Sequence, residues 1–377
     1  MIYLDNAATG GFKPHKVSEI VENTTRYLCA NPGRSSHTLS LTGEKLVFST
    51  RELISSMFDC PVERVIFTKN CTEALNTAIF GTLKKGGHVI TTIYEHNSVL
   101  RPLKHLKKLG LIELDIVCPY KEVPLTQLIK KKIRKNTYLV ACTSASNVTG
   151  QVLPIGEIGA LCKSLGITFL VDGAQGGGHI PLSISKDNIS ILCLAGHKGL
   201  YGIMGSGILV FDQETNINPI LFGGTGTESF NPSMPLSYPE RLEAGTLSLP
   251  SIASLKEGVK FVQKNLKSFA HHIEKGTEKI IGDLLTQDNI KIYSKPNPVG
   301  IVSLDIKNLD SNFVCDILDK EYGIAVRGGF HCAPLIHKHL KTDKSGLVRI
   351  SLAVQNTASE ITCVIEAIKK IAKNFNN

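Results

Sequence analysis

"ILCLAGHKGLYG", residues 191–202, runs five apolar residues (Ile191 to Ala195) into a basic pair, His197-Lys198, held between glycines. The apolar run has the length of a buried strand and ends at a glycine. An ordinary surface lysine, protonated because its reference pKa is about 10.4, has no need of that setting. At the mouth of a core strand, out of water and beside other cations, a lysine keeps more of its neutral amine, which condenses with carbonyls. Lys198 is therefore either a solvated cation or a carbonyl-capturing amine, and its surroundings must decide.

Outward from this stretch, strands and helices alternate from about residue 40 to 210. "RVIFTKN", "HVITTIY", "IELDIVC", "YLVACTS", "ITFLVDG" and "ISILCLAG" read as strands. Between them, "TGEKLVFSTRELISSMF", "TEALNTAIFGTL", "SVLRPLKHLKKLG", "TQLIKKKIRK" and "IGEIGALCKSLG" read as helices. That order predicts an α/β fold with a mostly parallel sheet and helices on both faces, binding ligands outside the carboxyl ends of its strands. Residues 221–250 are rich in Gly, Pro, Ser and Thr with little periodicity, as in a long functional loop. A long helical region (251–285) and a mixed tail follow. We expect a large α/β domain over 13–250 and a smaller α+β C-terminal domain over 251–377, joined by residues 1–12.

The chain has 377 residues, 42% of them hydrophobic and 20% charged, with a formal charge of +9. The lysine-rich stretches 104–110 and 129–136 are interleaved with apolar residues at helical spacing and read as solvated helix faces. They lack the aromatic or arginine interleaving of a nucleic-acid site. Ten cysteines are scattered singly, with no CxxC and no zinc spacing, so no metal site is expected. "MIYLDNAATG" has neither part of a signal peptide, and no apolar stretch approaches a membrane span. A cytoplasmic setting with free thiols is expected.

Polar residues gather where the strands stop. Asp172 ends "ITFLVD"; it either caps the next helix or faces a protonated ring nitrogen, as a pyridoxal phosphate (PLP) ring requires. In "KNCTEALN", Asn70, Cys71 and Thr72 open a helix, as a plain cap or as an anion site. His96 in "YEHNS" and Asn147 in "SASNVTG" also sit at strand ends, where an imidazole can stack on a flat ring. Together they make a phosphate cup, a ring platform, a ring anchor and a capturing amine in chain order, and Lys198 reads as a PLP lysine.

The motifs "YLDNAAT", "CTEALN", "EHNS", "SNVTG", "VDGAQ", "GHKGLYG", "RLEAGT", "RGGFHCAP" and "RISLAVQNT" span essentially the whole chain. In this order they resemble the class V aminotransferases, fold type I PLP-dependent transferases, in their cysteine desulfurase branch. The resemblance implies that Lys198 holds PLP, Asp172 pairs with its ring nitrogen and Gln175 contacts its phenolic oxygen. It also implies that His96 stacks on the ring, that Asn147 orients it, and that Cys71, Thr72 and His197 hold the phosphate. Thr246 would reach the phosphate of a neighbouring subunit, implying a homodimer. Arg349 would clamp the substrate carboxylate, with Asn6, Arg34 and His37 on the substrate side.

Cys332, in "RGGFHCAP", lies on a loop with two glycines and a histidine, a polar setting that favours thiolate. By resemblance it attacks the sulfur of L-cysteine after Lys198 removes the Cα proton, giving a persulfide and alanine. The sulfur would pass to an acceptor protein for iron–sulfur clusters or thiolated cofactors. The short loop resembles the SufS-like group rather than the NifS-like one. Ala195, Gln355, "TGGFKP" and "FGGTGTES" depart from the family pattern and leave substrate and acceptor open. Selenocysteine or cystine lyase and aminotransferase chemistry remain the alternatives at the same site. A nucleotide site at "GGTGTES" would lack the Gly-Lys-Ser/Thr ending of a P-loop.

Overall fold

The computed structural model describes every residue except Cys29, Arg34, Tyr120, Lys121, Asn376 and Asn377. Arg34, expected on the substrate side, thus lies outside the described residues. In chain order the elements begin with β1 (Ile2–Tyr3), α1 (His15–Tyr27), α2 (Thr38–Phe58), β2 (Val65–Thr68), α3 (Cys71–Gly81) and β3 (Gly87–Thr92). Next come α4 (Asn97–Lys108), β4 (Ile112–Val117), α5 (Leu125–Lys130), β5 (Thr137–Thr143), α6 (Ile155–Ser164), β6 (Thr168–Asp172), β7 (Ile191–Ala195) and β8 (Gly207–Phe211). The remainder is α7 (Leu249–Leu284), β9 (Ile290–Ile292), β10 (Ile301–Ile306), α8 (Ser311–Tyr322), β11 (Ile324–Ala325), α9 (Pro334–Leu340), β12 (Val348–Ser351) and α10 (Ala358–Asn374).

Seven strands form one sheet in the order β2-β8-β7-β6-β5-β3-β4. Only β8 runs against the rest. Strand β7 shows why the near-continuous apolar runs belong here: all five residues are buried, and they alternate between two cores. Leu192 and Leu194 pack with Ile54 of α2 and Ile158 of α6, whereas Ile191 and Cys193 pack with Ile79 of α3 and Leu103 of α4. Helices cover both faces, as a mostly parallel sheet demands. A three-stranded antiparallel sheet, β12-β10-β9, builds a separate core with α8 and α10, and β1 pairs in parallel with β11. Helix α7 serves both cores, through Ile252, Leu255 and Val259 at one end and Ile273, Ile280 and Leu284 at the other.

Two elements differ from expectation. Helix α5 stops at Lys130 instead of running to residue 135. A longer helix would stack Lys130 on Arg134 and Lys131 on Lys135, like charges at i,i+4 that oppose it. Arg134 turns instead to Glu113 and Asp115. Strand β8 was not foreseen: "SGILVF" is short and follows the Lys198 turn closely. Between Phe211 and Leu249 there is no helix or strand. The glycine-rich segment 223–229 thus has no strand before it and no helix after it, which removes the P-loop reading.

That long segment is anchored by a buried ion pair. Glu243 accepts from an Arg51 Nη2, and its other oxygen accepts the Phe67 N–H at 2.7 Å. Arg51 also donates to the Val65 carbonyl. Burial raises the Glu243 carboxyl and Arg51 pulls it back down. Replacing Glu243 with alanine strands a buried guanidinium, a loss of about 3–5 kcal/mol. Urea unfolding should show it as a lower midpoint at unchanged slope; a loss below about 1 kcal/mol, the range of an exposed pair, would contradict the anchoring role.

Candidate active site

The parallel strands deliver their carboxyl ends to one edge, and the site is built there. After β7 the chain turns sharply: Lys198 N–H donates to Ala195 O at 3.3 Å, Tyr201 N–H to Lys198 O at 3.0 Å and Gly202 N–H to Gly196 O at 2.8 Å. The flanking glycines are there for close approach. A Cβ on Gly199 would lie 2.4 Å from Gly177 O, and one on Gly196 2.4 Å from Ser206 Oγ. Burial lowers the Lys198 amine from the ordinary lysine value; Cys71 and Asp172 oppose that, while Arg349 and Arg327 add to it.

Asp172 closes β6 and is 3% exposed. Its Oδ1 accepts the Ala174 N–H at 2.9 Å and the Cys71 thiol at 3.6 Å. No hydrogen bond among the described residues occupies Oδ2. Burial and Asp172 push the Cys71 thiol well above its usual value. Its sulfur therefore faces inward, and what Cys71 presents outward at the start of α3 is its backbone N–H. Asn70 caps that helix through the Glu73 N–H at 2.9 Å, so the first-turn N–H groups have no intrahelical acceptor. Thr72 Oγ1 meets Ser98 Oγ at 2.8 Å, setting the starts of α3 and α4 side by side.

His96 is the N-cap of α4, its Nδ1 accepting the Ser98 N–H at 3.0 Å. Burial lowers its pKa, with Asp172 raising it and Lys198, Arg327 and Arg101 lowering it. His197 meets Thr9 Oγ1 through Nδ1 at 3.0 Å and is pushed down to about 4 by burial, Lys198 and Lys13. Gln175 donates to Ala7 O at 3.0 Å. Asn147 donates to His331 O at 2.6 Å, while its Oδ1 is buried without a partner.

Cys332 is exposed on a loop pinned from two sides. Its carbonyl accepts the Asn97 N–H at 2.8 Å, one residue past His96, and Asn147 holds the preceding carbonyl. His331 and Cys332 have φ of 47° and 58°, consecutive left-handed residues that cost about 1–2 kcal/mol each. Such strain persists only where the surroundings hold it. Arg349, 1% exposed, donates to Asp5 Oδ1 at 2.7 Å and Asn147 O at 3.2 Å; its buried Nε has no partner.

Three expected residues stand apart. Asn6 is consumed in structure: it donates to Ser351 O at 2.9 Å and Asn356 Oδ1 at 3.3 Å, and accepts the Gly11 N–H at 3.1 Å and Gln355 Nε2 at 3.4 Å. These bonds tie the N-terminal segment to β12 and the turn after it. His37 is exposed and caps α2 through the Ser40 N–H at 3.3 Å. Thr246 is exposed in a cleft with Lys69 and Gly205.

Sequence reasoning missed Asp5, Lys13, Ser98, Arg327 and, most of all, Glu95. Lys13 Nζ donates to His197 O at 3.0 Å, and burial brings it down to about 8. Glu95 is fully buried: Oε1 accepts Thr92 Oγ1 at 2.6 Å and the Thr143 N–H at 3.1 Å, and Oε2 has no partner. Burial raises it to about 8, with Asp172 adding to the rise. An acid closing an apolar strand beside His96 was the available signal.

Glu95 thus binds its proton more tightly folded than unfolded, where a glutamate titrates at about 4.3. The folded state is not penalised below that value, loses stability as pH climbs to about 8, and loses no more above it. The stability advantage of Glu95→Gln over wild type should grow between pH 5 and pH 8.5 in thermal melts. Parallel melting curves across that range would contradict the burial argument.

Comparison with known proteins places the site in context. The family model described as Aminotransferase class-V matches residues 2–364. A probable cysteine desulfurase of Methanothermobacter thermautotrophicus is 31% identical over 98% of this chain and 94% of its own. Another from Pyrococcus abyssi is 31% identical over 100% of this chain and 95% of its own. The solved apo structure of a cysteine desulfurase from Thermococcus onnurineus NA1 superposes with a TM-score of 0.91 at 30% identity, covering 99% of this chain and 95% of that one. With the whole site lying inside the matched span, the chain belongs to the class V aminotransferase family.

Proposed function

We propose that the protein is a PLP-dependent cysteine desulfurase that converts L-cysteine to L-alanine and leaves the sulfur as a persulfide on Cys332 for an acceptor protein. The carrying observation is the pinned loop: an exposed Cys332 is tied through Asn97 and Asn147 to the strand-end edge that bears Lys198 and Asp172. The groups present fit the cofactor. Asp172 Oδ2 is open, Asn147 Oδ1 is buried unpaired, and the Lys198 amine is held below its ordinary value. Lys198 would hold the aldehyde carbon, Asp172 the ring nitrogen, Gln175 and Asn147 the ring's polar edge, and His96 its face. Thr72, His197 and the Cys71 N–H would hold the phosphate. When bound, the cofactor supplies an electron sink for the amino acid's carbon skeleton.

The chain's own residues do the rest. Arg349 binds the substrate carboxylate, a task for which its unpaired Nε is available. Lys198 Nζ takes the Cα proton, and His96, favoured neutral, carries a proton at its ring nitrogen. Cys332 Sγ attacks the substrate sulfur: the carbon–sulfur bond breaks, a sulfur–sulfur bond forms, and the carbon keeps the electron pair and gains a proton. L-cysteine and one thiol thus become L-alanine and one persulfide. In a homodimer Thr246, exposed beside Lys69 and Gly205, would reach the phosphate of the other subunit.

Sulfide and alanine release from L-cysteine, measured with a reducing thiol for wild type and Cys332→Ala, tests the reading. Both products should appear in wild type and fall to near background in the variant. Equal activities, or turnover of another amino acid with cysteine untouched, would move the assignment to a lyase or aminotransferase. Lys198→Ala, dialysed after loading with PLP, should lose the visible absorption that wild type keeps; retention would remove Lys198 from the cofactor role.

A further inference from the structure

The surface beside Cys332 carries a charge pattern found on none of the other long helices. The Asn97–Cys332 hydrogen bond sets the start of α4 against the cysteine loop, and α9 begins two residues beyond Cys332. Residues 97–110 and 334–346 hold seven basic side chains, Arg101, Lys104, Lys107, Lys108, Lys338, Lys341 and Lys344, against one acid, Asp343. All seven are exposed. None makes an ion pair among the described residues, and Lys107 reaches only the Leu114 carbonyl. Five surface lysines elsewhere are paired with an acid on their own helix: Lys260 with Glu257, Lys275 with Glu278, Lys279 with Asp283, Lys320 with Asp316 and Lys369 with Glu366. Beside the cysteine, Phe330 is 47% exposed.

An uncompensated single-sign field around a reactive group raises the local concentration of opposite charge and steers its approach. Six of the seven are lysines, point charges without the planar fork of arginine, and Phe330 is one aromatic where RNA readers stack several bases. The chemistry at Cys332 also needs a thiol: an acceptor thiolate attacks the outer sulfur of the persulfide, the sulfur–sulfur bond breaks, and Cys332 leaves as thiolate. We propose that α4 and α9 form a docking face for an acidic sulfur-acceptor protein, one whose acceptor cysteine is surrounded by Asp and Glu. This rests on the desulfurase reading above.

The test uses the PLP-loaded enzyme with three acceptors: a peptide with its cysteine flanked by glutamates, one flanked by lysines, and neutral dithiothreitol. At low salt the acidic peptide should take sulfur at least ~10-fold faster than the basic one, and the ratio should collapse at ~0.5 M salt as screening shortens to a few ångströms. Lys104→Glu/Lys338→Glu/Lys344→Glu should invert the preference with dithiothreitol turnover unchanged. The corresponding glutamine triple variant should abolish it, guarding against misfolding of the first. Equal peptide rates at low salt, a preference indifferent to charge reversal, or reversal that weakens only binding of a transfer RNA would each overturn the proposal. Failure of the wild type with dithiothreitol would instead remove the desulfurase reading and the proposal with it.

Discussion

An aspartate taken almost wholly out of water at the end of β6 is the constraint around which this edge of the molecule is arranged. A buried carboxyl is costly unless its oxygens are matched. Asp172 finds the Ala174 N–H and the Cys71 thiol for one oxygen and leaves the other open. That arrangement fixes which way Cys71 points and puts the start of α3 beside β6. It also feeds an opposing influence into both Lys198 and His96. Glu95, buried against Thr92 and Thr143 and favouring its protonated form until about pH 8, spares Asp172 a second negative neighbour over the neutral range.

The architecture was legible because parallel strands buried on both faces need near-continuous apolar runs, and those runs stand out in the chain. Lys198, Asp172, His96 and Asn147 stood out as candidates for a related reason: Asp172 ends such a run, and the other three follow one by three or four residues. What escaped was whatever depends on contacts distant in sequence. Asn6 joins the N-terminal segment to Ser351 and Asn356, some 345 residues away. Asp5 becomes the partner of Arg349 only when β12 passes beside the N-terminus. Glu95 was overshadowed by the histidine beside it, since nothing local says that its carboxyl is enclosed by β3 and β5. Strand β8 was lost because five apolar residues after a turn leave too short a pattern.

The cysteine loop joins the two sheets chemically. Its residues lie between β11 and β12 and are held on that side by Leu347 and Ser311, but it also bonds Asn97 at the start of α4 and Asn147 after β5, both beside the larger sheet. Two left-handed residues in succession would relax without those ties. The strain and the exposure of Cys332 therefore go together: the loop is held by its carbonyls against the strand-end edge, with Cys332 left exposed. Helices α4 and α9, which carry the unpaired lysines, both begin at that loop.

The most direct measurement is mass spectrometry of the PLP-loaded protein after a single turnover of L-cysteine without added thiol, with alkylation and peptide mapping. The account predicts one additional sulfur atom on the peptide bearing Cys332 and none on the other nine cysteines. An extra sulfur on a different cysteine, or alanine formed with Cys332 unmodified, would contradict it.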